Sequence, residues 1–139
     1  MRPASSQPVP LAECTFSFRV RYSEVDAMGY LHHSRFLQHF ENGRVELLRS
    51  RGITYRELEA AGVLFVVTRV EVKYRSPARY DDELTLTVRL VKQTHVRFDH
   101  TYELRRGPDL LATAQTTIAC VNREGQVIQI PDEVRISDP

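Results

Sequence analysis

Four strand-length runs fill the second half of the chain, and the connections between them are short enough to be turns. Leu64 to Tyr74 is rich in valine, and Glu83 to Lys92 alternates, with Leu84, Leu86, Val88 and Leu90 on one side. Arg97 to Arg106 sets Phe98, Tyr102 and Leu104 on one face, and Leu110 to Val121 is the last run. The segments SPARYDD, KQTH, RGPD and NREG follow these runs in turn, each built from turn-forming residues. Connections this short join neighbouring antiparallel strands, so the spacing demands one antiparallel sheet.

The first half supplies what covers that sheet. From Thr15 to Tyr22, Phe16, Phe18, Val20 and Tyr22 alternate with Ser17, Arg19 and Arg21, which predicts a half-buried strand. Ser23 to His33 breaks any period and contains Gly29, so it reads as a loop. Ser34 is the expected N-cap of a long helix. Phe36, Leu37, Phe40, Leu47 and Leu48 form its apolar stripe, with Arg35, Gln38, Glu41 and Arg44 mostly elsewhere, and it stops at Gly52. Gly43 inside that helix costs about 1 kcal/mol against alanine, which a close approach to the sheet would explain. A short helix, Thr54 to Ala61, opens with a threonine and a glutamate three residues on, a capping box. The fold class expected is α+β: one antiparallel sheet with its helices on one face. Residues 1–11 read as a mobile tail and residues 12–139 as a single domain. An uncovered edge strand would be satisfied by pairing with a second copy, so a homodimer is expected.

Composition narrows the function class. The chain has 139 residues, 27% of them charged, with a formal net charge of +1. That balance argues against a nucleic-acid partner, and no apolar run is long enough to cross a membrane. Cys14 and Cys120 form no metal or disulfide spacing and read as free thiols in a reducing cytoplasm. The opening MRPASSQPVP has no apolar core of a signal peptide.

The chemistry-bearing residues gather in the first loop. His32 and His33 are adjacent, so their side chains should diverge rather than share an ion, and neither HxxxH nor HExxH occurs. There is no GxSxG elbow and no glycine-rich phosphate loop, although Ser23 or Ser34 with these histidines leaves a serine triad open. Asp26 remains. Its plain reading is an Asx turn that holds the loop. Its sharper reading is a general base, with Val25, Ala27 and Met28 as an apolar setting that would raise its pKa. A helix N-terminus just downstream could hold a developing oxyanion. Glu24 reads as solvated, and Glu41 as a surface acid or a water-positioning one. Lys73, Arg75, Arg79, Lys92 and Arg97 form either a solvated rim or a phosphate site.

The segment VRYSEVDAMGYLHHSRFLQHFENGRVELL resembles the first strand, loop and central helix of hotdog-fold acyl-CoA thioesterases, in the 4-hydroxybenzoyl-CoA thioesterase and YbgC-type group. The group's Asp-x-x-Gly pattern before the long helix falls on Asp26, Gly29 and His33. VKYRSPARYDDELTL and LLATAQTTIACVNREG resemble the same family. The resemblance implies a hotdog fold and hydrolysis of a thioester on CoA or an acyl-carrier protein, without metal or redox cofactor. It makes Asp26 the nucleophile or general base and the His33 backbone N–H the oxyanion donor, with the His33 side chain lining the pocket. It places CoA at a subunit interface, with Lys73, Arg75, Arg79, Lys92 and Arg97 as candidates for its phosphates. Gly29 and Tyr30 would line the acyl site, and Met28 and Tyr30 beside Gly29 are larger than the family's usual small residues. A homotetramer, as a dimer of dimers, is expected. The rivals are a non-catalytic acyl-CoA-binding or regulatory hotdog module and a hotdog hydratase or dehydratase.

Overall fold

The computed structural model describes residues 9–137. In chain order it contains β1 (Ala12–Arg19), a 3-10 turn (Tyr22–Glu24), α1 (His33–Ser50), α2 (Tyr55–Ala60), β2 (Leu64–Tyr74), β3 (Glu83–Gln93), β4 (Arg97–Arg106) and β5 (Asp109–Val121). The five strands form one antiparallel sheet in the order β1-β3-β4-β5-β2. The expected tail falls mostly outside the described residues. Leu11, at its end, donates its amide to Leu90 O at 2.8 Å and so belongs with the sheet.

Three of the four late strands lie beside their chain neighbours, because the turns after β3 and β4 are tight. The link from β2 to β3 does not join neighbours, against the expectation from its length. β2 pairs with β5 and β3 with β1, so these strands lie apart in the sheet. Residues 75–82 make the crossing by passing over the start of α1. Leu31 N donates to Ala78 O at 2.8 Å, Tyr30 bridges Arg79, and Ala78 is fully buried. Asp82 pins the far end, accepting from the Arg79 amide and the Arg106 guanidinium, both at 2.9 Å.

The core lies between α1 and the inner face of the sheet. Leu84, Leu86, Val88 and Leu90 of β3 alternate inward as the spacing predicts, and Phe36, Phe40, Leu47 and Leu48 of α1 pack against them. A Cβ on Gly43 would stand 3.0 Å from Leu86 Cδ2 and 3.5 Å from Val88 Cβ, so the glycine marks the close approach expected of it. The outer face is polar, with Thr15 and Ser17 of β1 bonding across to Thr87 and Thr85.

Arg44 departs from the polar stripe assigned to it. It is buried, with its guanidinium 3.0 Å from the Tyr102 hydroxyl, which in turn lies 2.6 Å from Thr116 Oγ1. His100 on the neighbouring pair of β4 is buried as well, and its Nδ1 has no hydrogen-bond partner among the described residues. β2 is the opposite case. It is an edge strand with Val66, Val67, Val70 and Tyr74 all at least two-fifths exposed.

Candidate active site

The chain leaves β1 at Arg19, three residues earlier than the alternation predicts, because Val20 turns into the core and donates its amide to Asp82 O. Tyr22, expected on the buried face, therefore sits in the 3-10 turn and is exposed, edge-on to Tyr80 with ring centroids 5.5 Å apart. Beyond the turn, Val25 bridges Leu31 and a tight hairpin holds Asp26. Asp26 N donates to Tyr30 O at 2.8 Å and Gly29 N to Asp26 O at 3.0 Å, with Gly29 at φ +82°, a region that favours glycine. Asp26 Oδ1 accepts from Met28 N at 2.9 Å and Tyr30 N at 3.1 Å. Its Oδ2 makes no hydrogen bond among the described residues. One oxygen thus holds the loop as an Asx turn does, and the other has no partner among the described residues. The apolar setting expected around it is not closed in a single chain, since Ala27 and Met28 are exposed.

The helix begins one residue before the expected cap. His32 is the N-cap, its Nδ1 accepting from Ser34 N at 3.2 Å, and Ser34 lies in the first turn. The same Nδ1 lies 2.8 Å from the Ser34 hydroxyl. The His32 and His33 rings do not diverge but lie 4.2 Å apart at 31°, and no group of three or more metal-ligating side chains forms among the described residues. The His33 amide, in the first turn, has no partner among the described residues, and the Tyr74 hydroxyl holds the His33 carbonyl at 3.0 Å. Free first-turn N–H groups and the helix dipole favour negative charge at this point.

Glu24 is the main correction to the reading from sequence. Rather than solvated, it is 7% exposed and ties the loop to the helix. Its Oε1 accepts from Arg21 N at 2.8 Å, its carbonyl accepts from His32 N at 2.9 Å, and its Oε2 lies 2.6 Å from His39 Nε2. The Oε2 atom stands off the ideal N–H direction, so the contact is short without being linear. At 2.6 Å two bare lone pairs would repel each other, so one of the two atoms carries a proton. The His39 ring stacks on Phe18, centroids 4.0 Å apart at 17°. Burial holds the His39 pKa below its ordinary value, the Glu24 carboxylate opposing that shift. The sequence carried half of this signal: His39 is three residues after Phe36 and four before Gly43, on the buried stripe.

One turn into α1 a groove of about 220 Å³ lies between Leu37, Phe40, Glu41 and Arg44 on one side and Val67 and Val70 on the other. The basic candidates do not gather in one chain. Arg79 lies against the Asp26 hairpin, its guanidinium 5.2 Å over the Tyr30 ring, and Arg75 donates its amide to Leu111 O. Lys73 neighbours Tyr74 but belongs to the outer face with Glu71 and Arg89. Lys92 and Arg97 flank the β3–β4 turn, about 30 Å away along β3 at the usual strand rise.

Comparison with known proteins agrees with this architecture. A sequence model of the thioesterase-like superfamily matches residues 20–136. The chain is 32% identical over 125 residues to the acyl-CoA thioesterase YbgC of Haemophilus influenzae, covering 87% of this chain and 90% of that protein. It is 30% identical over 105 residues to the acyl-CoA thioester hydrolase YbgC of Escherichia coli, covering 75% and 78%. The crystal structure of a hypothetical protein from Aquifex aeolicus superposes with a TM-score of 0.83 at 30% identity, covering 87% of this chain and 95% of that one. No helix among the described residues is long and apolar enough to cross a membrane. A helix laid across one antiparallel sheet, a match spanning nearly all of it, and relatives at about one residue in three together establish that the chain belongs to the thioesterase-like superfamily and has the hotdog fold.

Proposed function

We propose that the protein hydrolyses acyl-CoA thioesters, with Asp26 and the His33 amide as the groups that act on the thioester carbon. The observation that carries this reading is that, among the described residues, neither Asp26 Oδ2 in the Val25–Leu31 hairpin nor the His33 amide at the start of α1, seven positions further on, has a hydrogen-bond partner. The thioester oxygen lies against the His33 N–H, which stabilises the charge it gains when the carbonyl carbon is attacked. Asp26 acts in one of two ways. As nucleophile it forms a mixed anhydride and expels the CoA thiolate, which takes a proton as water then hydrolyses the anhydride. As general base it removes a proton from the water that attacks, and that proton ends on the departing sulfur. Neither route uses a metal or a redox cofactor. CoA is consumed as substrate, and an acyl-carrier-protein thioester would meet the same groups.

A homodimer formed along the bare edge of β2 would cover Val66, Val67 and Val70 and bring the second copy beside the groove. In that assembly Lys73, Arg75, Arg79, Lys92 and Arg97, dispersed in one chain, are the candidates for the CoA phosphates, and dimers pair into a tetramer. Gly29 and Tyr30 border the acyl group. The cytoplasm, where acyl-CoA is made and used, is the compartment that suits this reaction.

The test is release of free thiol from acetyl-, hexanoyl-, palmitoyl-, benzoyl- and 4-hydroxybenzoyl-CoA by the wild type and by Asp26→Asn. The variant is expected to lose about 10²–10⁴-fold in kcat while remaining folded. A folded Asp26→Asn enzyme at the wild-type rate would end this assignment, and a wild type inert on every thioester would make the chain a binding module.

A further inference from the structure

Glu24 and His39 lie outside the reaction described above, yet they occupy the junction of its two halves. The carboxylate and the amide that face the thioester belong to different elements, the hairpin and the helix, and only a fixed spacing between them gives a productive site. A misplacement of about 1 Å costs on the order of 10²-fold in rate. We infer that Glu24 and His39 are positioning residues, a buried clamp that fixes the Asp26 hairpin against the start of α1. The inference rests on the reading of Asp26 and the His33 amide given above.

Three contacts made by one residue support it. The Glu24 carbonyl takes the amide of His32, the residue next to the oxyanion donor. Its Oε1 takes the amide of Arg21, where the chain leaves the sheet. Its Oε2 reaches His39 Nε2 at 2.6 Å, almost two turns into α1. Glu24 is two residues from Asp26, so the hairpin cannot slide along the helix without breaking at least one of these contacts. Burial makes the clamp stiff. Glu24 is 7% exposed, and a buried carboxylate that loses a partner has no water to replace it. The His39 ring cannot swing freely, because Phe18 of β1 stacks on it at 4.0 Å. The charges of Arg21 and Arg35 add slightly to the lowering of the His39 pKa, and neither forms an ion pair with Glu24 among the described residues. Among the described residues the only ion-pair contact of Glu24 is therefore the one to His39.

The test separates the N–H from the ring. His39→Phe keeps an aromatic ring against Phe18 and removes the donor. His39→Gln keeps an N–H near the Nε2 position and removes the ring. Glu24→Gln keeps the shape and removes the charge. Steady-state kinetics on the fastest acyl-CoA of the panel, with circular dichroism as a check of folding, should give for His39→Phe a kcat lower by about 10–100-fold and a KM within about threefold. His39→Gln should retain kcat to within about threefold, and Glu24→Gln/His39→Phe should fall no further than His39→Phe alone, because the pair acts as one unit. His39→Phe at the wild-type kcat overturns the clamp, even if its melting temperature drops. So does a His39→Gln enzyme that falls as far as His39→Phe, since an N–H near the Nε2 position would then do nothing to hold the site. If Glu24→Gln does not fold, the two His39 variants decide. Asp26→Asn is run beside them: its loss of activity with His39→Phe unaffected removes the clamp alone, whereas full activity of Asp26→Asn removes both.

Discussion

His100 gives the fold a calculable sensitivity to acid. The ring is 7% exposed, between Phe98 and Tyr102 on β4, and its Nδ1 has no partner among the described residues. Burial, with a smaller push from the Arg44 guanidinium, lowers its pKa from 6.5 to about 3. The unfolded chain takes up a proton at this residue near pH 6.5 and the folded chain does not until about pH 3. Stability is therefore complete above the unfolded value, falls as pH drops below it, and levels off only below the folded one. With about 1.4 kcal/mol per pH unit, the loss between pH 7.5 and pH 5 is about 2 kcal/mol. The measurement is urea unfolding followed by far-ultraviolet circular dichroism, since the chain has no tryptophan, at one protein concentration and several pH values. His100→Leu serves as reference. Its absolute stability is immaterial, because only the change in the difference with pH is read, and the contribution of His39, which has the same sign, cancels. The wild type should lose about 2 kcal/mol more than His100→Leu over this range. Curves that stay parallel to within about 0.5 kcal/mol would show that water reaches the ring or that a proton is held there, and would refute the reasoning.

Two further substitutions probe the packing and the edge. Gly43→Val places its branched carbons against Leu86 and Val88, where a Cβ alone already stands 3.0 Å from Leu86 Cδ2, and should cost about 1–3 kcal/mol, read as a lower urea midpoint with unchanged slope. Wild-type protein should sediment as a dimer or larger at micromolar concentration, and Val67→Lys/Val70→Lys should shift it towards monomer. A monomeric wild type, or a double variant as tightly associated as the wild type, would contradict pairing along β2.

Much of the fold was legible because the features that set it are local. Period-two alternation in β3 and β4 marks both the strand and its buried face, and β2 begins and ends where its valine-rich run does. Gly43 announced the helix–sheet contact because nothing local justifies a glycine there. What was missed depends on partners far apart in sequence. The order of the strands could not follow from connection length, since eight residues suffice either for a turn or to cross over the helix start. Arg44 reads as a surface cation until Tyr102, 58 residues away, provides its hydroxyl. The site divides in the same way. Asp26 and Gly29 are visible as turn chemistry, whereas the partners of the buried Glu24 include His39, 15 positions away on α1.

The crossing of residues 75–82 over the start of α1 also has a consequence in time. It places β2 at one margin of the sheet, so its partner is β5, with Leu64 opposite Val121 and Tyr74 opposite Ala112. A strand made in the middle of the chain must wait for the last strand before it gains any ladder. Pairings of such long sequence separation cost closure entropy before they return anything, so folding should be slow for a chain of this size, in the range of milliseconds to seconds. A chain growing from the ribosome presents Val66, Val67 and Val70 unpaired until β5 has emerged, and that interval is when it most needs protection from a wrong partner.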